Sequence, residues 1–205
     1  MIWARPAALC RPDRAQSGSR AGGQAVSVTA QMVKELRERT GAGVMDAKRA
    51  LEAANGDMER AASLLREQGL ARAEKKAGRA TSQGLVDAYI HGGGRIGSLI
   101  EVNCETDFVA RTQEFRDLVH DLAMQVAATA PRYVAAEDIP AAELEAGAQE
   151  AGSREKYIEQ VALLAQPFIK DPSRTVEEIV KEAIARLGEN IRVRRFARFE
   201  LGTDE

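Results

Sequence analysis

Two alternating runs, "GLVDAYIH" at 84 to 91 and "RIGSLIEVNC" at 95 to 104, flank the triplet Gly92, Gly93, Gly94. Period two sends successive side chains to opposite faces of a strand, and a glycine cluster between two such runs gives the backbone the freedom a tight reversal needs. The pair reads as a β-hairpin with Ile96, Ile100, Val102 and Cys104 on one face of its second strand. An isolated hairpin is marginal in water, so that face has to be covered. The cover follows at once, because Phe115, Leu118, Val119, Leu122, Ala123 and Val126 recur at helical spacing to about residue 128. The period changes within "CETDFVAR", residues 104 to 111, which therefore forms a strand-to-helix corner at the end of a sheet.

Farther on, Thr175 and Glu178 make a capping box ahead of Ile179, Val180, Ala183, Ile184 and Leu187, and Gly188 closes that helix. The run "IRVRRFARFE" at 191 to 200 then alternates as a third strand, with Ile191, Val193 and Phe199 expected on the core face. Between these parts Pro140 suits a helix start, and Ile158, Val161, Leu164 and Ala165 outline another helix before Pro167. Helices packed on a small three-stranded antiparallel sheet give an α+β core over residues 84 to 205.

Upstream, three short amphipathic segments predict a miniature bundle over residues 26 to 69. The first uses Met32, Val33 and Leu36 and ends in "TGAG"; the second uses Ala47, Ala50, Leu51 and Ala54 and stops at Asn55 and Gly56. Asp57 can cap a third built on Met58, Ala61, Ala62 and Leu65. So small a bundle has little core, and its expected role is to dock a partner through an exposed face. Residues 70 to 83 lose the apolar period and gather Lys75, Lys76 and Arg79, which reads as a polar helical connector. Residues 1 to 25 carry four arginines against one aspartate and read as a disordered leader or a mis-assigned start.

Charge and chemistry remove several classes. The 29 basic and 31 acidic side chains nearly cancel, so the chain lacks the basic footprint of a nucleic-acid binder, and no stretch approaches the length of a membrane span. Two cysteines, one of them in the leader, do not make a disulfide framework, and a reducing, cytoplasmic setting is expected. Gly92, Gly94 and Gly97 satisfy G-x-G-x-x-G, yet a strand follows where a phosphate site needs a helix. His91 and His120 have no ligand-spaced Cys or His, so no metal or cofactor is expected. Cys104 has no base beside it in sequence, and Glu101, Glu105 and Asp107 resemble solubilising acids. The arginines 192, 194, 195 and 198 read as edge-strand protection. No covalent chemistry emerges.

At the corner, Asp107 suits a helix start, where acids oppose the helix dipole. Phe108 stands seven residues before Phe115 and eighteen before Val126, a spacing that predicts core packing.

Five segments occur in one order: "TAQMVKELRERTGAGVMDAKRALEAANGD", "KKAGRATSQG", "EVNCETDFVAR", "LLAQPFIKDPSRTV" and "GENIRVRRFARFE". From about Val28 to Glu200 they resemble the short form of bacterial elongation factor Ts. The resemblance implies a guanine-nucleotide exchange factor for elongation factor Tu, with no cofactor of its own, no direct nucleic-acid contact and no membrane. It implies that Thr106, Asp107, Phe108 and Val109 approach the Mg²⁺ and phosphate region of Tu, which would turn Phe108 outward. It implies a bundle similar to a ubiquitin-associated fold, with Val44, Met45 and Lys48 in its contact region. Long family members carry a second core half that is missing here, so a homodimer whose sheet edges meet is expected. The alternative is a ubiquitin-associated-like binding module on an α+β scaffold without exchange activity.

Overall fold

A computed structural model describes residues 28–203, so the reading of residues 1 to 25 lies outside the described residues. Helices α1 (Ala30–Thr40), α2 (Val44–Ala53) and α3 (Met58–Glu74) form the bundle. Thr29 caps α1 by accepting from the Met32 N–H at 3.2 Å, and Gly41 ends it at φ 67°. Asp57 Oδ1 caps α3 by accepting from the N–H groups of Glu59 and Arg60, both at 3.0 Å. The core between the helices is made of Leu36, Leu51 and four alanines. Asp46 joins α2 to α3 by accepting from Arg72 at 2.9 Å and from Arg49. Those hydrogen bonds, Arg72 first, hold its carboxyl down at about 2. Because the folded value is depressed, this stabilisation is complete above the ordinary carboxylate range and is lost as pH falls from about 4 through about 2.

Helix α3 does not stop where apolar periodicity fades near residue 69; it continues to Glu74 and meets α8 (Val176–Leu187). A Cβ on Gly69 would lie 3.1 Å from the Ala185 Cβ, Ala73 is buried in the main core, and Arg66 pairs with Glu182 at 3.4 Å. Small residues let two helix backbones approach closely but contribute almost nothing to an apolar count.

Strands β1 (Gln83–His91), β2 (Ile96–Cys104) and β5 (Ile191–Glu200) form one antiparallel sheet in the order β1-β2-β5. Helix α5 (Gln113–Thr129) and α8 cover one face. Ile100, Val102 and Cys104 point into this core, and the buried Ser98 hydroxyl donates to the Ala123 carbonyl at 2.6 Å.

The expected position of Phe199 is wrong. Glu101 pairs with Arg195 while Val102 pairs with Val193, so Arg194 is an extra residue in β5. Such a bulge inverts facing beyond it. Ile191 and Val193 stay buried, Phe196 takes over the inner face, and Phe199 is 65% exposed on the other. The outer face also carries Val86, Ile90 and Leu99 in the open. The arginines divide accordingly: Arg198 donates to the Ala127 carbonyl at 3.1 Å, and Arg195 pairs with Glu101 at 2.7 Å.

A second departure lies at Pro167, where a small hairpin of β3 (Pro167–Phe168) and β4 (Asp171–Thr175) precedes α8. Its strands are too short for a period to register. Buried Gln125 holds it, donating to the Pro167 carbonyl at 3.2 Å and accepting from the Ile169 N–H at 2.8 Å. Helices α6 (Ala141–Ala151) and α7 (Arg154–Val161) form a satellite around Leu144 and Tyr157.

Gly84 lets β1 start close against β2: its φ is 154°, and a Cβ there would fall 2.2 Å from the Val102 carbonyl oxygen. Gly84→Ala is therefore expected to destabilise the protein by about 1 to 3 kcal/mol, whereas Gly78→Ala, in open space, should change stability by less than about 0.5 kcal/mol. Urea unfolding of both variants checks this, and a Gly84→Ala protein as stable as its parent would contradict the close strand approach.

Candidate functional site

The corner begins where β2 ends. Cys104 pairs with Ile191 as the last rung of the β2–β5 ladder, and residues 105 and 106 continue past it. Thr106 is extended (φ −126°, ψ 157°) and caps the single turn α4 (Asp107–Ala110). Then the helical phase breaks at Arg111. Thr112 is a new N-cap, accepting from the Phe115 N–H at 3.2 Å as α5 starts.

That break overturns the core reading of Phe108. A seven-residue spacing keeps two side chains on one face only inside one continuous helix, and α4 and α5 are separate. Phe115 is fully buried while Phe108 is 79% exposed. Within the same turn Val109 points inward and is buried in the main core. Asp107 lies half-exposed and pairs with Arg111 at 2.7 Å. The corner thus offers a bare phenyl ring and a carboxylate from a turn whose neighbour is anchored.

Its mount comes from three residues whose role the sequence did not reveal. The Glu189 carboxylate accepts from the Thr106 N–H at 2.9 Å and from its hydroxyl at 2.5 Å. Reciprocally, the Glu105 carboxylate accepts from the Asn190 N–H at 2.6 Å. The Asn190 side chain donates to the carbonyls of Ala77 and Arg79 at 3.2 and 2.8 Å, drawing in the segment between α3 and β1. Glu105 is thus a structural acceptor rather than a solubilising acid. The available signal was position: Glu189 and Asn190 stand between the helix-closing Gly188 and a strand.

Cys104 is buried, and its thiol donates to the Thr106 carbonyl at 3.1 Å. Burial, with a smaller contribution from the Glu189 charge, pushes the thiol up to about 11, which keeps it protonated at neutral pH. His120 meets Asp87 at 3.1 Å and His91 meets the Tyr89 hydroxyl at 3.2 Å. Among the described residues no group of three His, Cys, Asp or Glu side chains could hold a metal ion, and no helix is long and apolar enough to cross a membrane.

A second surface lies on α2. Ala47, Ala50 and Leu51 face the bundle core, which leaves Val44 and Met45 open to solvent, Met45 at 63% exposure. Lys48 stands one turn on and pairs loosely with Glu52 at 3.8 Å. The structure brings Val44, Met45 and Lys48 to one end of α2. The helix that carries them packs into a different cluster from the corner, and the two clusters are connected through the packing of α3 on α8.

The family model described as Elongation factor TS matches residues 26–151 and 149–203. The chain is 58% identical over 194 residues to Elongation factor Ts of Moorella thermoacetica, a match covering 85% of this chain and 96% of that protein. It is 56% identical to Elongation factor Ts of Carboxydothermus hydrogenoformans, with 85% and 89% covered. Against the protein of the same name from Heliobacterium modesticaldum the identity is 55%, with 85% and 90% covered.

The two phenylalanines give a direct contrast. Phe115→Ala empties a fully buried site and is expected to cost about 3 to 5 kcal/mol. Phe108→Ala should change stability by less than about 0.5 kcal/mol. Denaturant titrations of the two variants check this, and comparable losses would return Phe108 to the core.

Proposed function

The chain belongs to the elongation factor Ts family, and we propose that it drives nucleotide exchange on elongation factor Tu through the corner at Thr106, Asp107, Phe108 and Val109. It is a guanine-nucleotide exchange factor acting in translation elongation, and it performs no covalent chemistry. The single observation that carries the site is the 79% exposure of Phe108 on a turn whose flanking residues are buried or hydrogen-bonded. A large apolar side chain kept in water is unfavourable for the free protein and favourable once a partner covers it.

The mechanism is differential binding. An exchange factor must bind nucleotide-free Tu more tightly than Tu with GDP, and linkage then requires GDP to weaken the factor by the same ratio. Phe108 acts as the apolar wedge at the edge of the nucleotide site. Asp107 adds a negative charge near a phosphate group and an oxygen that competes for the surroundings of Mg²⁺, an ion that demands near-octahedral geometry. Val109 anchors the turn from within the core and Thr106 holds its start. Because the turn is already formed, little ordering is needed on contact. Val44, Met45 and Lys48 supply separate attachment, so the module over residues 26 to 69 holds Tu while the core over 84 to 205 does the displacement. The family match extends through both parts, so a binding module without exchange activity is not favoured.

The protein works as a homodimer in this reading. Support comes from the outer sheet face, where Val86, Ile90, Leu99 and Phe199 stand exposed on adjacent strands, and from the free edges of β1 and β5. A second copy would cover both. Light scattering at about 50 micromolar, where micromolar association is populated, is expected to give a dimer mass, and Leu99→Asp a monomer mass. A monomeric parent chain would contradict the pairing.

For exchange, stopped-flow release of fluorescent GDP from Tu is the test. Phe108→Ala should slow release at saturating factor by about tenfold or more, equivalent to about 1.4 kcal/mol of barrier. Asp107→Asn should slow it as well, with attachment to Tu largely kept. Unaltered release by both folded variants would falsify the site while leaving family membership intact.

A further inference from the structure

Resting on the corner as the exchange element, we propose that Glu189 is a positioning residue for exchange, a clasp that sets the angle at which Phe108 is presented. Its carboxylate engages both donors of Thr106, the N–H at 2.9 Å and the hydroxyl at 2.5 Å, across 83 residues of sequence. Thr106 is the N-cap of α4, so fixing its backbone and its side chain together fixes the direction in which the turn leaves the sheet. A one-turn helix has too few internal hydrogen bonds to hold its own orientation. Glu105 returns the contact by accepting from the Asn190 N–H at 2.6 Å, so each acid grips the amide one residue beyond the other. The two crossed grips prolong the β2–β5 ladder past Cys104 and Ile191, where backbone pairing has ended.

The rest of the clasp ties the corner to the chain between bundle and core. Asn190 holds the carbonyls of Ala77 and Arg79, and Arg79 reaches Glu105 at 3.5 Å. One cluster of side chains therefore registers the wedge against the segment that leads to the attachment module. Displacement of a metal's surroundings depends on placement to a fraction of an ångström, and misplacement of about 1 Å can cost on the order of a hundredfold in rate. Gly188, at φ 80°, ends α8 and turns Glu189 toward the corner.

The clasp depends on reach rather than charge, and three substitutions separate the two. Glu189→Gln keeps the length and can still accept from the N–H while its amide meets the hydroxyl. Glu189→Asp keeps the charge and loses a methylene of reach. Glu189→Ala loses both. In stopped-flow GDP release from Tu, the Asp and Ala variants should be slower by about tenfold at saturating factor, with half-saturating concentrations within about twofold of the parent. The Gln variant should stay near the parent rate. In the free protein, amide hydrogen exchange at Thr106 should accelerate in the Asp and Ala variants while Val102, inside β2, keeps its protection.

Adding Phe108→Ala to Glu189→Asp should bring little further loss beyond Phe108→Ala alone, since the clasp acts through the turn. A normal rate in Glu189→Asp with a slow Gln variant would show a charge effect and overturn the clasp. Full additivity with Phe108→Ala would overturn it too, as would unchanged Thr106 protection in both shortened variants. If Phe108→Ala alone leaves exchange intact, the corner reading fails first; if Phe108→Ala slows exchange and neither shortened variant does, the clasp alone fails.

Discussion

The pairing of β2 with β5 is the constraint on which the rest of this structure depends. It joins segments nearly a hundred residues apart, with Cys104 opposite Ile191 at one end and Ile96 opposite Glu200 at the other. Closing so long a loop is entropically unfavourable, and the buried row of Ile100, Val102, Cys104, Ile191 and Val193 under α5 and α8 offsets it. Once this ladder forms, β2 is central, α5 has a surface to lie on, and the corner has a fixed origin. The bulge at Arg194 belongs to the same pairing. It turns Phe196 inward and Phe199 outward, so one extra residue lets the strand serve the core and an apolar outer face.

Most elements could be read from the sequence because their signals were local. The glycine triplet, the capping box at Thr175 and Glu178, and the Asp57 cap each act within a few residues, and each marks a boundary seen in the structure. What escaped was long-range or made of small groups. The end of α3 packs through Gly69 and Ala73, which leave no apolar stripe. A bulge depends on the partner strand, so alternation within "IRVRRFARFE" could not place Phe199. Phe108 was misplaced by periodicity alone because Thr112 restarts the helix between it and Phe115.

The candidate site shows the same division. Motif resemblance points to Thr106, Asp107, Phe108 and Val109, whereas position and spacing alone read Asp107 as a helix-start acid and Phe108 as a core residue. Side-chain placement separates them: Thr106 is held, Val109 is buried, and Phe108 is free. Glu189 and Asn190 carried no chemical signature, since their partners are backbone groups and a threonine hydroxyl. In the proposed reading function is a matter of presentation, in which a partly buried network holds one apolar ring in water until a partner accepts it.

That claim is tested most directly by watching residue 108 itself. With 4-fluorophenylalanine in place of Phe108, fluorine NMR should show a narrow, solvent-exposed resonance in the free protein. On forming the nucleotide-free complex with Tu it should move to a buried position and broaden, and excess Mg²⁺ and GDP should return it to the free position. A resonance that stays solvent-exposed in a fully formed complex would contradict the account.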